Sequence, residues 1–316
     1  METDDRFRGC LLGLAVGDAI GMTVEFLPRG TFAPLTGMVG GGPFRLAPGQ
    51  WTDDTSMALC LATSLVELGR FDLHDQMERY CQWAEEGYLS CTGWCFDIGT
   101  TVAAALRRYR ANGNPEAGVS DAHSSGNGCI MRLAPVPMFF FPDESAAAHY
   151  SAASSRATHG SVECIEGTRL LGRILVRALA GASKQEVLSG DRDLAMRSQA
   201  LAAIARGDYL AKTASEIRGS GYVVECLEAA LWSFAGTDSF EAAILQAANL
   251  GDDADTTAAV CGQIAGAHYG ESAIPSRWLE RLAWADRIRE LADKLNNASR
   301  ARSNPQLQPV RGAPCS

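Results

Sequence analysis

The stretch TDDTSMALCLATSLVELG, residues 52–69, reads as an amphipathic helix that carries acid at its start. Helical steps from Asp54 reach Ala58, Leu61, Leu65 and Leu68, the stripe that faces a core. That register turns Asp54 inward, where an unpartnered carboxylate is costly. Far downstream, DDADTTAAVCGQIAGAHYG at 252–270 repeats the plan, with Asp255 followed on its own face by Ala259, Gly262 and Gly266. Ser, Thr and Asp are the preferred helix caps and acids favour a first turn, so either cluster alone reads as a cap. Two inward-facing acids on separate helices need a common partner. Hard oxygen donors suit divalent cations, and with no His or Cys in either cluster the expected ions are Mg2+ or Mn2+ rather than zinc.

Apolar residues recur at helical spacing in segments near 5–20, 53–69, 72–86, 97–111, 143–157, 161–180, 191–206, 223–235, 239–248, 255–269 and 276–296. Sustained alternation is hard to find, so the expected fold class is all-α, a single multi-helix domain over residues 1–298. From Ser299 the chain turns to Ser, Arg, Gln and Pro, and 299–316 reads as a disordered tail. The first helix and the helix after the second acidic cluster share an unusual stripe. Gly9, Gly13, Gly17 and Gly21 fall four apart, as do Ala258, Gly262, Gly266 and Gly270. Interior glycine costs about 1 kcal/mol relative to alanine, so the inner ones predict close helix packing that gathers Asp18, Glu25 and the second cluster. Gly21 and Gly270 read as helix ends or bends.

A net charge of −9 argues against general nucleic-acid or anionic-membrane binding. Ten cysteines lie scattered among apolar residues, with Cys91 and Cys95 the only close pair. They read as reduced thiols of a cytoplasmic protein, with no signal peptide after the charged start. No apolar run reads as a membrane span.

Several short segments, taken in order, resemble one family. They are Gly17-Asp18-Ala19-Ile20-Gly21, Glu25, Thr52-Asp53-Asp54-Thr55, Gly126-Asn127-Gly128 with Met131-Arg132 and Ala134-Pro135, Thr158-His159, and Gly251-Asp252-Asp253-Ala254-Asp255-Thr256. Together they look like the ADP-ribosylglycohydrolases, over about Arg6 to Gly270. Cys95-Phe96-Asp97-Ile98-Gly99 looks most like the dinitrogenase reductase-activating branch. The resemblance implies an all-α enzyme that holds two Mg2+ or Mn2+ ions and removes ADP-ribose from a modified protein side chain. It implies metal ligation by Thr52, Asp53, Asp54, Asp253, Asp255 and Thr256, with Glu25 at the edge of the site. Asp252 is the weaker candidate ligand of its cluster and reads as readily as an exposed first-turn acid or cap as it does as a site residue.

Cleavage at C1 of the distal ribose passes through a cation-like sugar that carboxylates stabilise. Either Glu25 or Asp97 handles the protons. Asp97 also reads as the cap of the helix that follows it; as a site residue it faces the leaving group, and its charge matches an arginine guanidinium better than a serine. Ser125, Gly126, Asn127 and Gly128 form an ordinary turn by composition, and a phosphate cradle under the resemblance. His159 joins the substrate-binding set on the same ground. The other readings are a hydrolase for serine- or nucleic-acid-linked ADP-ribose, a different two-metal hydrolase such as a phosphoesterase, and a non-catalytic, crystallin-like member. The target protein and any regulatory partner are not readable from the chain.

Overall fold

The computed structural model describes residues 2–303, apart from Gly190 and Asp193. Its regular elements are helices: α1 (Thr3–Gly21), α2 (Asp53–Leu68), α3 (Leu73–Glu86), α4 (Thr100–Asn112), α5 (Pro135–Phe140), α6 (Glu144–Ser155), α7 (Val162–Leu179), α8 (Lys184–Ser189), α9 (Gln199–Arg206), α10 (Val223–Ala235), α11 (Phe240–Ala248), α12 (Ala254–Tyr269), α13 (Ser276–Leu279) and α14 (Ala285–Ser303). Among the described residues extended pairing is limited to isolated bridges, Gly41 with Leu46, Val119 with His159 and Gly126 with Tyr222. The all-α expectation holds.

The glycine stripes decide how the helices are arranged. A Cβ on Gly9 would meet Gly266 O at 2.3 Å, one on Gly13 would meet Gly262 O at 2.3 Å, and one on Gly17 would meet Ala258 O at 2.1 Å. The register is antiparallel, and backbone lies on backbone. Gly21 belongs to the same ladder, since its Cβ would stand 2.3 Å from Ala254 O; reading it as only a helix end is corrected by this contact. Gly270 does end α12, at φ +81. The ladder brings the end of α1, and so Glu25, beside the start of α12. Around this pair, α10 and α11 pack on α12, and α14 lies against α1, α2 and α5. Residues 3–24 are long and apolar enough to cross a membrane, which the sequence reading missed; 89% of the window is buried within the protein.

Four further expectations are corrected. The segment 191–206 is helical only as α9, because Asp191 turns inward to the guanidinium groups of Arg173 and Arg177 and Ser198 caps α9 by accepting from Leu201 N at 3.4 Å. The segment 276–296 breaks between α13 and α14, where Ala283 N donates to Gly49 O at 2.9 Å and Trp284 sits at φ +59. α4 starts at Thr100 rather than at Asp97, with Gly99 as its N-cap residue. At the end of the chain α14 continues through Ser303, so Ser299–Ser303 are helical and not tail; residues 304–316 lie outside the described residues. The nine cysteines of the described residues are free thiols.

Candidate active site

Asp18, in the last turn of α1, is fully buried and organises the start of α2. Its carboxylate accepts from Thr52 N at 2.9 Å and Thr55 N at 3.0 Å, and from the hydroxyls of Thr52 at 3.0 Å and Thr55 at 2.6 Å. Asp18 thus supplies from another helix the capping that the N-cap residue Thr52 does not supply itself. Thr52 keeps its hydroxyl near the second cluster, 3.4 Å from Asp255 Oδ2, while Thr256 donates to Asp54 Oδ1 at 3.3 Å. Asp253, the N-cap residue of α12, likewise makes no capping bond. The cap reading of both clusters is therefore set aside. Asp252 is exposed at φ +57 outside the helix, where it ties the loop after α1 through Phe26 N to Asp252 O at 2.7 Å and Asp252 N to Leu27 O at 2.8 Å.

These elements border a cavity of about 510 Å³. Glu25, Asp53, Asp97, Asp253 and Asp255 line it, and among the described residues no lysine or arginine does. Burial, then the charges of Asp97 and Asp253, pushes Glu25 up to about 10. Burial, then the charges of Asp18 and Asp253, pushes Asp97 up to about 8. Asp53, Asp54 and Asp255 are also raised well above the usual carboxylate range, by burial first and neighbouring carboxylates second. Without cations, Glu25 and Asp97 therefore both keep their protons at neutral pH.

The donor set suits hard divalent cations. Asp54 Oδ2, Asp255 Oδ1, Glu25 Oε2 and Asp97 Oδ2 are buried and receive no N–H or hydroxyl from the described residues. Glu25, Asp97 and Asp255 each bring a carboxylate oxygen within 4.8 Å of the others. Asp97 therefore stands among candidate ligands as well as candidate proton carriers. It sits at φ +59, a strained conformation for a residue other than glycine.

Gly126, Asn127 and Gly128 also line the cavity. Asn127 fastens this loop to the acid cluster, its Nδ2 donating to Asp253 Oδ2 at 2.9 Å and its N to Gly221 O at 2.9 Å. His159 packs against both glycines, with Cε1 2.9 Å from where a Gly128 Cβ would stand. Burial, then the charge of Arg132, lowers it to about 3, so it is neutral. Ser125 does not line the cavity; its hydroxyl donates to Ser161 Oγ at 2.9 Å.

The sequence reading missed the wall formed by Ile98, Gly99, Thr100, Thr101 and Val102. This is the N-terminus of α4, whose N-cap glycine has no side chain to occupy the first amides, so they are free for an anion. Phe26 was missed too. It lines the cavity, 63% exposed, at φ +63. Nothing local in the sequence singles out Gly99 as the start of α4, since Asp97 and Thr100 are both acceptable cap residues.

The family profile described as ADP-ribosylglycohydrolase matches residues 1–305. A protein of Pseudomonas putida described as "ADP-ribosylarginine hydrolase Tri1" is 47% identical over 292 residues, covering 92% of this chain and 78% of that protein. An ADP-ribosyl-dinitrogen reductase glycohydrolase of Rhodospirillum rubrum is 34% identical over 282 residues, covering 88% of this chain and 90% of its own. The branch suggested by Cys95–Gly99 is thus the more distant of these two. A solved structure titled "ADP-ribosylglycohydrolase-related protein complex" superposes with a TM-score of 0.84 at 44% identity, covering 94% of this chain and 99% of that one.

Proposed function

This chain belongs to the ADP-ribosylglycohydrolase family and is a glycohydrolase, and on that premise we propose that it releases ADP-ribose from arginine side chains of modified proteins. The observation that carries the reading is the lining of the cavity. Five carboxylates line it with no lysine or arginine among the described lining residues, and the N-terminus of α4 and the Gly126–Gly128 loop line it too. A cationic guanidinium suits the carboxylates and a diphosphate the backbone amides. The relative at 47% identity carries an arginine-specific description, which supports the choice of linkage.

We assign two divalent ions, Mg2+ or Mn2+, to Asp53, Asp54, Asp253 and Asp255 with the hydroxyls of Thr52 and Thr256. Glu25 and Asp97 are near enough to Asp255 to share in holding them. When bound, the ions supply positive charge that grips ribose hydroxyls and makes water a better nucleophile. With the negative charge of the site offset by cations, one member of the Glu25–Asp97 pair would be charged and serve as base while the other keeps its proton and serves as acid. The deprotonated member takes a proton from the attacking water, and the other delivers one to the departing nitrogen. As the C1–N bond breaks, the surrounding carboxylates stabilise positive charge on the sugar. A cytoplasmic location is part of the proposal and rests on the free thiols.

The test incubates the protein and Mg2+ or Mn2+ with arginine-, serine- and nucleic-acid-linked ADP-ribose. Free ADP-ribose from the arginine conjugate is expected. Release from serine alone would overturn the linkage, and AMP with ribose phosphate would mean attack on the diphosphate.

A further inference from the structure

Arg132 is a cation buried without a carboxylate. It is 1% exposed; its Nη2 donates to Thr158 Oγ1 at 2.6 Å, its Nη1 approaches Met57 Sδ at 3.7 Å, and its guanidinium lies 4.8 Å from the centre of the Tyr80 ring. Its Nε has no partner among the described residues. A buried guanidinium left this incompletely paired costs stability, so its place beside the cavity wall calls for a gain elsewhere.

Thr158 connects it to the cavity. This hydroxyl is fully buried and has one proton and two lone pairs. Arg132 can only donate, so it takes a lone pair. Among the described residues the one acceptor in reach of the Thr158 proton is His159 Nδ1, at 2.8 Å. Nδ1 therefore accepts, and the imidazole proton is on Nε2. That nitrogen faces Gly126 and Gly128 in the cavity. The backbone of His159 is pinned as well, with His159 N donating to Ser155 O at 2.7 Å and Ser155 Oγ donating to His159 O at 2.8 Å.

We propose that Arg132 is a positioning residue which, through Thr158, holds His159 as a neutral imidazole with its Nε2–H directed into the cavity as a donor to an oxygen of the ligand. The ligand's identity as ADP-ribose rests on the function proposed above; the relay does not. A neutral donor is useful here because an imidazolium would titrate and could rotate to other acceptors, whereas this ring has one orientation and one tautomer. The lowered basicity of His159, caused by burial and the Arg132 charge, agrees with the geometry.

The experiment reads the ring nitrogens of His159 by 15N NMR and compares wild type with Arg132→Met, Thr158→Val and Thr158→Ser. Wild type is expected to show a protonated Nε2 and an unprotonated Nδ1, unchanged from acidic to neutral pH. Thr158→Ser should keep that pattern, and Thr158→Val and Arg132→Met should lose it. In steady-state assays the latter two should raise KM by about tenfold to a hundredfold, the loss of one hydrogen bond to a charged oxygen, with a smaller change in kcat. A protonated Nδ1 in wild type, or an unchanged pattern in Thr158→Val, overturns the proposal even if Arg132→Met fails to fold. If wild type shows the tautomer but binds no ADP-ribose, the relay stands and the functional reading fails.

Discussion

Thr256, at the start of α12, donates its hydroxyl to Asp54 Oδ1 on α2 at 3.3 Å. In the opposite sense Thr52 Oγ1, its one proton directed to Asp18, lies 3.4 Å from Asp255 Oδ2, and Asp54 Oδ2 and Asp255 Oδ1 are buried without a donor among the described residues. Thr256 thus orients Asp54, and each cluster still has an oxygen to give to a cation. Asp255→Asn keeps the shape and removes one charge. It should lose most Mn2+ affinity and nearly all activity while its circular dichroism stays helical. Calorimetric titration with Mn2+ checks this, and full activity under thorough chelation would refute the role assigned to the clusters.

Gly262 and Gly13 meet with no room for a side chain, since a Cβ on Gly262 would stand 2.0 Å from Gly13 O. Backbone cannot yield as a flexible side chain does. Gly262→Leu should therefore cost more than the usual overpacking penalty of about 1–3 kcal/mol and weaken metal affinity, because the ladder sets the distance from Glu25 to Asp255. An unchanged Tm with unchanged metal affinity would show that the ladder does not position the site.

The stripes were legible because burial imposes a period on a helix, and the glycines because their cost demands a reason. Other features depended on partners remote in sequence. Trp284 breaks the last helical segment where Ala283 reaches Gly49 O, and nothing local signals that bond. Pro135–Phe140 forms α5 from an apolar run with two prolines, too short to display a period. Asp97 looked like a cap because aspartate usually is one, yet Gly99 starts α4 and leaves Asp97 in the left-handed region beside Glu25. Likewise Asp18 is one acid within an apolar helix, and its service to α2 appears only when Thr52 and Thr55 are placed against it.

Asp18→Asn tests that service. An amide has one acceptor oxygen where the carboxylate uses two, so some of the donors from Thr52 and Thr55 must go unmatched. The expected loss is about 2 kcal/mol in denaturant unfolding, with weakened metal affinity although Asp18 does not line the cavity. Wild-type stability and affinity in this variant would mean that α2 is held by packing alone.

Stability should depend on pH in a direction opposite to that of paired carboxylates. Without cations, Asp18, Asp97 and Glu25 hold their protons to about 6, about 8 and about 10. Unfolded carboxyls titrate near ~4, so between these limits the folded chain binds more protons than the unfolded one. Their contribution is fully present below the unfolded values and is lost as pH rises through the folded ones. The Tm of the chelated protein should fall from about pH 5 to about pH 9, and Mn2+ should flatten the slope by favouring the charged forms. A Tm that rises across this interval under chelation would contradict the shared burial of these acids.

Asp97 gives the sharpest test of the leaving group. It lies in the cavity, holds its proton to about 8 without cations, and stands within 4.8 Å of Glu25 and Asp255 through its carboxylate oxygen. Asp97→Asn retains the shape but can neither carry the proton nor oppose a guanidinium charge. On ADP-ribosyl-arginine kcat should drop by about 10²–10⁴, the range of acid–base participation. Affinity for free ADP-ribose should hold, because the α4 amides and the Gly126–Gly128 loop remain. Measuring Mn2+ affinity in the same variant separates two roles. A proton carrier leaves it nearly intact, whereas a ligand's loss lowers kcat and metal binding together. If kcat falls only where Mn2+ is subsaturating and recovers when Mn2+ is raised, Asp97 serves as a ligand and the proton role passes to Glu25.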